Sequence, residues 1–291
     1  MELFHQSSSI RIRQTEDSIE LDQTGYIDEV LQRFGMDTSK PVLTPLNVSE
    51  KLTKEMSPTT DEDRLRMARV PYREAVGCLN YIAQSTQPDI VYTVNTLSRF
   101  NNDPGEKHWQ AVKHLLRYLK GTADYCLKFD KNSPGDVVGY SDADWAADID
   151  SRSSVSGFVF VAQGGAISWA SKRQKSVATS SCEAEYYALS SACQEALWWK
   201  GIKSQIEKDE PIKILCDNQS AISVANNQGF NPRLKHIDIR YKFVMQHIEQ
   251  GDIKLEYVST NEQAADILTK ALDRVKTQKF RTILGIVPHS I

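Results

Sequence analysis

The chain has 291 residues, 40% of them hydrophobic and 25% charged, and a formal net charge of −3 at pH 7. This composition is typical of a globular protein with room for two modest cores, and it excludes a largely disordered chain. The five cysteines are scattered and never spaced as Cys-x-x-Cys, which excludes a disulfide framework and a zinc site. No apolar run is long enough for a bilayer and no signal peptide is evident, so we expect an intracellular protein without a membrane partner.

The first part of the chain predicts a mainly helical region that begins with a β-hairpin. Strand-like alternation at 10–14 and 18–22 predicts the two strands of that hairpin. Residues 40–63 are rich in Pro, Ser, Thr and acidic residues, which is typical of a surface loop. Apolar residues at helical spacing predict helices at 27–34, 64–83, 90–100 and 108–119.

Turn residues at 131–136 predict a domain boundary, and the hydrophobic pattern changes beyond it. Strands are predicted there at 137–145, 157–162, 166–170, 212–216 and 253–258. Helices are predicted at 179–208, 219–226, 236–249 and 262–272. This order of strands and helices predicts an α/β sheet layered with helices.

Four acidic residues of this second region lie in four separate motifs. Carboxylates repel one another, so a buried group of them is stable mainly when hard divalent cations neutralise it. Two such metals side by side are a device for cleaving phosphodiesters. The four candidates are Asp142 in Tyr-Ser-Asp-Ala-Asp-Trp, Glu185 in Cys-Glu-Ala-Glu-Tyr-Tyr-Ala-Leu, Asp217 in Cys-Asp-Asn-Gln-Ser-Ala-Ile, and Asp266 in Ala-Asp-Ile-Leu-Thr-Lys.

These motifs, in this order, are similar to the ribonuclease H of copia-type retrotransposons. Upstream, Pro-Tyr-Arg-Glu-Ala-Val-Gly-Cys-Leu-Asn-Tyr from Pro71 and His-Leu-Leu-Arg-Tyr-Leu-Lys-Gly-Thr from His114 resemble the segment between polymerase palm and nuclease in those Pol polyproteins. The resemblance implies a ribonuclease H-like domain at 133–275 with a mixed five-stranded sheet and flanking helices. It also implies a thumb- or connection-like reverse-transcriptase segment without palm at 1–132, and a C-terminal tail at 276–291.

The resemblance implies an endonuclease that cuts the RNA strand of RNA–DNA hybrids with two Mg²⁺ ions, for which Mn²⁺ can substitute. Asp142 would bridge both metals in this mechanism. Glu185 and Asp217 would hold the metal nearer the leaving group, and Asp266 the metal that activates water. Hard oxygen ligands that leave positions for water and phosphate are what Mg²⁺ prefers.

Each carboxylate also has an alternative. Asp142 and Asp144 share one face of a strand, so geometry leaves both open, and the match of Tyr-Ser-Asp to the family's Tyr-Thr-Asp favours Asp142. Glu183 and Glu185 are separated by about 200° on a helix, so only one can face the site, and the family pattern selects Glu185. Asp217 could instead cap the helix that follows it. One Asp on a helix, such as Asp266, is often only a solvated residue.

Substrate contacts are expected from polar and basic residues near these motifs. The net charge of −3 is unlike that of a strong nucleic-acid binder, although basic residues do cluster. Many ribonucleases H carry a His in the loop before the fourth carboxylate, and this chain has none there. The candidates for substrate contact are Lys172, Arg173, Lys175, Asn218 and His236.

The chain contains no Tyr-x-Asp-Asp string, the palm motif that holds the polymerase metals in reverse transcriptases. We therefore expect no DNA synthesis from it. Its partners would be an RNA–DNA hybrid and the polymerase part of the same polyprotein, in a cytoplasmic virus-like particle or in the nucleus. The alternative is an inactive or domesticated remnant that only binds nucleic acid or protein.

Overall fold

The structure, a computed structural model, describes residues 3–7, 9–205, 210–226 and 238–289. Its internal contacts divide the chain into two compact units. Unit 1 consists of Met1–Pro134, Gln163–Gly165 and Ala271–Ile291, and unit 2 of Gly135–Ala162 and Ala166–Lys270. The chain therefore leaves unit 1, forms unit 2 and returns to unit 1.

Unit 1 contains a five-stranded sheet in the order β1-β2-β3-β4-β10. The predicted hairpin is confirmed, with β2 and β3 antiparallel and Arg11 opposite Asp22. The last strand pairs antiparallel with β4 through Val287 and Cys126, so residues 276–291, interpreted from the sequence as a tail, contribute to this sheet. The strands are β1 (Leu3–Ser7), β2 (Ile10–Gln14), β3 (Ser18–Asp22), β4 (Tyr125–Asp130) and β10 (Ile286–Pro288).

The helices of unit 1 pack mainly on one another through apolar residues at helical spacing. The prediction of one helix at 64–83 is wrong, because the helix ends at Met67 and a new one starts at Tyr72 after Pro71. Proline has no amide hydrogen to donate and its ring clashes with the preceding turn, so it starts a helix rather than continuing one. The helices of unit 1 are α1 (Thr24–Arg33), α2 (Asp61–Met67), α3 (Tyr72–Ser85), α4 (Val91–Ser98), α5 (Glu106–Lys120) and α9 (Arg274–Ile283).

Unit 2 is built on a second five-stranded sheet, in the order β7-β6-β5-β8-β9. Its central strand β5 runs antiparallel to β6 and parallel to β8, and β8 runs parallel to β9. The predicted mixed five-stranded sheet is therefore confirmed. The strands are β5 (Val138–Asp144), β6 (Val155–Ala162), β7 (Gly165–Arg173), β8 (Ile212–Cys216) and β9 (Ile253–Tyr257).

A long helix packs on this sheet and begins beside the carboxyl end of β5. Ser180 caps it by accepting a hydrogen bond from the Glu183 amide, which satisfies one of the free donors of the first turn. Its first turns carry Ala184 and Ala188, which form a small buried cluster with Ala143 of β5, so the helix can approach the strand closely. The helices of unit 2 are α6 (Ser181–Lys203), α7 (Gln219–Asn226) and α8 (Asp238–Glu249).

The predicted helix at 262–272 is wrong, because this segment forms a short 3₁₀ helix at Ala264–Leu268 instead. One hydrogen bond and one close approach place it against the sheet. The Gln263 side-chain amide donates to the Ser141 carbonyl oxygen at 3.0 Å, and Gly157, opposite Asp142 in the β5–β6 ladder, leaves room for the turn. A Cβ atom at Gly157 would lie 2.8 Å from the Thr269 methyl carbon, so only glycine permits this approach. The close approach brings Asp266 beside β5.

Among the described residues, no helix is both long and apolar enough to cross a membrane.

Candidate active site

Asp142 lies near the carboxyl end of the central strand β5 and is 2% exposed. Its Oδ2 atom accepts a short hydrogen bond from the Thr269 hydroxyl. The same oxygen lies 3.6 Å from Nζ of Lys270. Two residues on, Asp144 is half-buried and adds negative charge near Lys270.

Glu185 comes from the first turns of α6 and is 7% exposed. One of its oxygens, Oε2, is buried without a hydrogen-bond partner. Glu183 has a different role, since its Oε2 accepts bonds from the Thr179 amide and hydroxyl at 2.7 Å each. The structure thus brings Glu185 into the acidic group and uses Glu183 to close the start of the helix.

Asp217 follows the last residue of β8, at the edge where parallel strands present functional groups. It is half-buried, and its Oδ2 atom accepts a hydrogen bond of 2.8 Å from the Thr260 hydroxyl. The capping role considered for Asp217 belongs to its neighbour, because Asn218 Oδ1 accepts from the Ala221 amide at 2.9 Å. Asp217 is therefore available to the acidic group.

Asp266 lies in the 3₁₀ turn and is fully buried. Its Oδ1 atom lies 2.8 Å from Nζ of Lys270, four residues on, and its Oδ2 atom has no hydrogen-bond partner. Thr269 and Lys270 leave the same turn and both contact Asp142. One short segment therefore supplies a carboxylate, a hydroxyl donor and a cation to the site.

The four carboxylates converge. Ligand oxygens of Asp142, Asp217 and Asp266 all lie within 4.8 Å of one another. A second group of ligand atoms within the same limit joins Glu185 and Asp217 with the thiol of Cys216. Burial raises the pKa of that thiol, and the charge of Glu185 raises it further, so Cys216 stays protonated and contributes a weak ligand.

Burial and mutual repulsion dominate the electrostatics. Burial raises the pKa of Glu185 to about 10, with the charges of Asp142 and Asp217 adding to it. Burial, followed by the charge of Asp142, raises the pKa of Asp266 to about 7. The pKa of Asp142 is raised by burial too, although Lys270 opposes the shift. Burial would lower the pKa of Lys270, but Asp142 and Asp266 hold it above its ordinary value, so Lys270 remains an ammonium.

This donor set fits hard divalent cations. Four carboxylates face one ammonium among the described contacts, and two buried oxygens, Glu185 Oε2 and Asp266 Oδ2, lack partners. Buried carboxylate oxygens without partners are unfavourable unless a cation binds them. Carboxylate oxygens are the ligands that Mg²⁺ and Mn²⁺ prefer.

The residues predicted to contact substrate differ in the partners that they have in the structure. Lys172 and Lys175 are exposed, and Lys172 lines a cavity of about 540 Å³ together with Trp198. Arg173 is exposed as well, but its Nη1 atom pairs with buried Asp148 at 3.0 Å, which holds the β5–β6 loop. His236 lies outside the described residues.

Sequence reasoning missed Lys270, Thr269 and Thr260 as members of the site. A signal for the first two was present, because a helical turn places residues three and four positions after Asp266 on one face with it. No sequence signal pointed to Thr260, whose contact with Asp217 joins segments 43 positions apart.

No protein-family model matches the chain. Several curated proteins are similar to it over nearly its whole length. It is 45% identical over 267 residues to the retrovirus-related Pol polyprotein from transposon TNT 1-94 of Nicotiana tabacum, covering 91% of this chain and 20% of the relative. It is 38% identical over 298 residues to the retrovirus-related Pol polyprotein from transposon RE1 of Arabidopsis thaliana, covering 99% of this chain and 20% of the relative.

The chain therefore spans about a fifth of the length of these curated relatives. Among solved structures, it is similar to the N-terminal RNase H domain of a Mycobacterium tuberculosis protein. That match has 15% identity and a TM-score of 0.34, and it covers 50% of this chain and 95% of the other.

Proposed function

Because the chain belongs to the retrovirus-related Pol polyproteins of copia-type transposons, we propose that unit 2 is a divalent-metal-dependent ribonuclease H. Its substrate is an RNA–DNA hybrid, of which it cuts the RNA strand. The observation that carries the proposal is the convergence of Asp142, Glu185, Asp217 and Asp266 from four separate elements on one edge of the sheet.

In this proposal Asp142 would be a ligand of both metals, Glu185 and Asp217 would hold one of them with it, and Asp266 would hold the other. Asp217 belongs to both groups of converging ligand atoms, and Asp142 shares one group with Asp217 and Asp266. Two Mg²⁺ ions bound there would supply an activated water and neutralise the charge that develops on the phosphate. Thr269 and Thr260 fix the orientation of Asp142 and Asp217 by donating to one oxygen of each, which would leave the remaining lone pairs available to a metal.

Hybrid selectivity would come from contacts with 2′-hydroxyl groups across the minor groove. Lys172 and Lys175, which are exposed, are our candidates for phosphate contacts. Arg173 is a weaker candidate because its ion pair with Asp148 already engages it. We further propose that 133–275 is the nuclease, that 1–132 is the polymerase's connecting segment, and that the protein acts with the polymerase in a cytoplasmic particle or in the nucleus.

The test is cleavage of a hybrid whose RNA strand carries an end label, by the purified full chain. We expect the RNA of the hybrid to be cut with Mg²⁺ or Mn²⁺ and to survive with a chelator. The same RNA, single-stranded or in an RNA–RNA duplex, should survive in both conditions. An Asp142→Asn protein purified in parallel is the control for a contaminating nuclease, since it should leave the hybrid intact.

The competing function is a remnant that binds nucleic acid or protein without cleaving it. A folded chain that binds the hybrid but leaves the RNA intact with either metal would establish this alternative and refute ours. Cleavage by the Asp142→Asn protein at the same rate would show that the observed activity does not come from this acidic group.

A further inference from the structure

Lys270 lies where a metal shared by Asp142 and Asp266 would lie. Its Nζ atom is 2.8 Å from Asp266 Oδ1 and 3.6 Å from Asp142 Oδ2. These distances are those of an ion pair with both carboxylates at once. Because the lysine follows Asp266 by four residues and leaves the same buried turn, its side chain is directed back onto the carboxylate pair.

The surroundings hold this ammonium in place. Thr269, fully buried, donates to the same oxygen of Asp142 that Lys270 contacts. The turn itself is fixed on the sheet by Gln263 and by the close approach at Gly157. Asp144 adds a third negative charge near Lys270. The lysine side chain is only 33% exposed, so it is a fixed part of the site rather than a mobile surface group.

Glu185 and Asp217 have different contacts from Asp142 and Asp266. Glu185 has a buried oxygen, Oε2, with no partner, and Asp217 has a hydroxyl donor but no lysine among its described contacts. A cation that binds Glu185 and Asp217 therefore displaces no charged group that contacts either carboxylate among the described residues. A cation that binds Asp142 and Asp266 must first displace the Lys270 ammonium from Asp266 Oδ1 and Asp142 Oδ2.

We propose that Lys270 is a tethered cation that competes with the metal bound by Asp142 and Asp266, so that the two metal positions have unequal affinities. The position formed with Glu185 and Asp217 binds first. The other binds only when the free metal concentration is high enough to displace the lysine. This inference rests on the proposed metal-dependent function, and it assigns Lys270 as a positioning residue that sets metal occupancy.

The competition can be measured without catalysis, by titrating the full chain with Mn²⁺ in the absence of nucleic acid and following free Mn²⁺ by electron paramagnetic resonance. Wild-type protein should bind one ion tightly and a second more weakly. Lys270→Met, which keeps the length of the side chain but removes its charge, should bind the second ion about tenfold more tightly or better, which corresponds to about 1.4 kcal/mol. Lys270→Arg, which keeps the charge, should retain two unequal steps.

Lys200→Met is the matched control. Lys200 is also a mostly buried lysine of unit 2 in an ion pair of 2.7 Å, but with Asp252, outside the acidic group. Its removal should leave both binding steps unchanged. Lys270→Gln provides the same titration if the methionine variant does not fold.

The outcomes separate the two proposals. Two unequal steps in wild type that are unchanged in the Lys270→Met and Lys270→Gln proteins would refute the role of Lys270 and leave the nuclease proposal intact. Weaker binding of the second ion in these variants would likewise refute competition, since the lysine would then be assisting the metal. Absence of Mn²⁺ binding in wild type would refute the metal-dependent function itself.

Discussion

Each unit of the molecule buries a group of carboxylates, and the two groups differ in how they are neutralised. In unit 1, Glu20 and Asp22 of β3 are each 1% exposed. Arg11 pairs with Asp22 at 2.8 Å, and Arg13 and Lys128 lie within 4.0 Å of Glu20. In unit 2, four carboxylates converge and Lys270 is the cation in contact with them among the described residues.

The pKa shifts express the same difference. Burial would raise the pKa of Asp22, but its hydrogen bonds with Arg11 and Thr24 lower it below the ordinary value. Burial and repulsion raise the pKa values of Asp142, Glu185 and Asp266. Cations beside a buried acid keep it ionised, whereas a group of buried acids in excess of its cations is unfavourable unless it is protonated or binds a further cation.

Proximity of donor atoms alone would not separate the two groups. Glu20, Cys126 and His289 of unit 1 also place ligand atoms within 4.8 Å of one another. However, Arg13 and Lys128 already face Glu20, and burial raises the pKa of Cys126 to about 12, so its thiol does not ionise. We therefore interpret the group in unit 1 as structural.

The largest expected effect concerns catalysis in unit 2. Asp142→Asn removes the carboxylate that we propose as a metal ligand without changing its shape, so cleavage of the hybrid should fall by orders of magnitude, because a metal bound there would stabilise the transition state by several kcal/mol. Asp144→Asn should have a much smaller effect, since Asp144 is outside the groups of converging ligand atoms. Initial rates of hybrid cleavage in Mg²⁺ measure both. Equal losses in the two proteins would show that the acidic group includes Asp144.

The next effect concerns stability, and the units should respond in opposite directions. Arg11→Met leaves Asp22 buried beside fewer cations and should destabilise unit 1 by about 2 kcal/mol, below the value of about 3–5 for fully buried pairs because Arg11 is 42% exposed. Asp142→Asn in metal-free protein should leave unit 2 as stable as before or more stable, because it removes one member of a repelling group.

Hydrogen exchange resolved by peptide measures each unit separately. Arg33→Met is the control for unit 1, because its ion pair with Glu74 is exposed on both sides and should contribute less than about 1 kcal/mol. Faster exchange throughout unit 2 in the Asp142→Asn protein would mean that this carboxylate is structural, and the contrast between the units would be lost.

The pH dependence of stability should also have opposite signs in metal-free protein. The pKa of Asp266 is raised from 3.8 to about 7 and that of Glu185 from 4.5 to about 10. Folded unit 2 therefore binds more protons than the unfolded chain, and it loses stability as pH rises from the ordinary pKa values toward the raised ones. The pKa of Asp22 is lowered, so its contribution to unit 1 is present above the ordinary value of 3.8 and is lost as pH falls below it. Hydrogen exchange in chelator, corrected for intrinsic rates at each pH, measures both trends. A unit 2 that gains stability between pH 5 and 8 in chelator would contradict the excess of buried acid.

The smallest effect concerns Thr260. Thr260→Val removes the hydroxyl that donates to Asp217, and one hydrogen bond of about 1 kcal/mol predicts a loss in cleavage rate of about fivefold. Thr260→Ser keeps the hydroxyl and should retain most of the rate. Because the loss should come from a less well held ligand, higher Mg²⁺ should restore part of it. A valine variant with the wild-type rate and metal requirement would show that Asp217 needs no such support.

The sequence predicted the sheet of unit 2 and the four carboxylates that converge there, because each lies in a local motif with its own strand or helix signal. Contacts between distant segments were not predictable in the same way. The position of Asp266 depends on the space left by Gly157, which lies opposite Asp142 on the neighbouring strand β6. A helix was predicted for the segment of Asp266, where the backbone forms a tighter turn. The ion pair that binds Arg173 to Asp148 likewise has no local signature.

In unit 1, the strands β4 and β10 escaped prediction for a related reason. Residues 125–130 mix apolar and charged residues, and 286–288 form a strand of only three residues. Each is a strand because of its partner in the sheet rather than its own pattern. The helices α1, α4 and α5, with their regular apolar spacing, were predicted to within three residues, unlike the segment 64–83.

The return of the chain to unit 1 has a consequence during synthesis on the ribosome. Strand β4 cannot pair with β10 until residues 286–288 have been synthesised, and all of unit 2 lies between these two strands in the chain. At about 5–20 residues per second, the wait is about ten to thirty seconds. Unit 2 is continuous apart from Gln163–Gly165 and can fold meanwhile, so we expect the second unit in the chain to be the first one completed in a nascent protein.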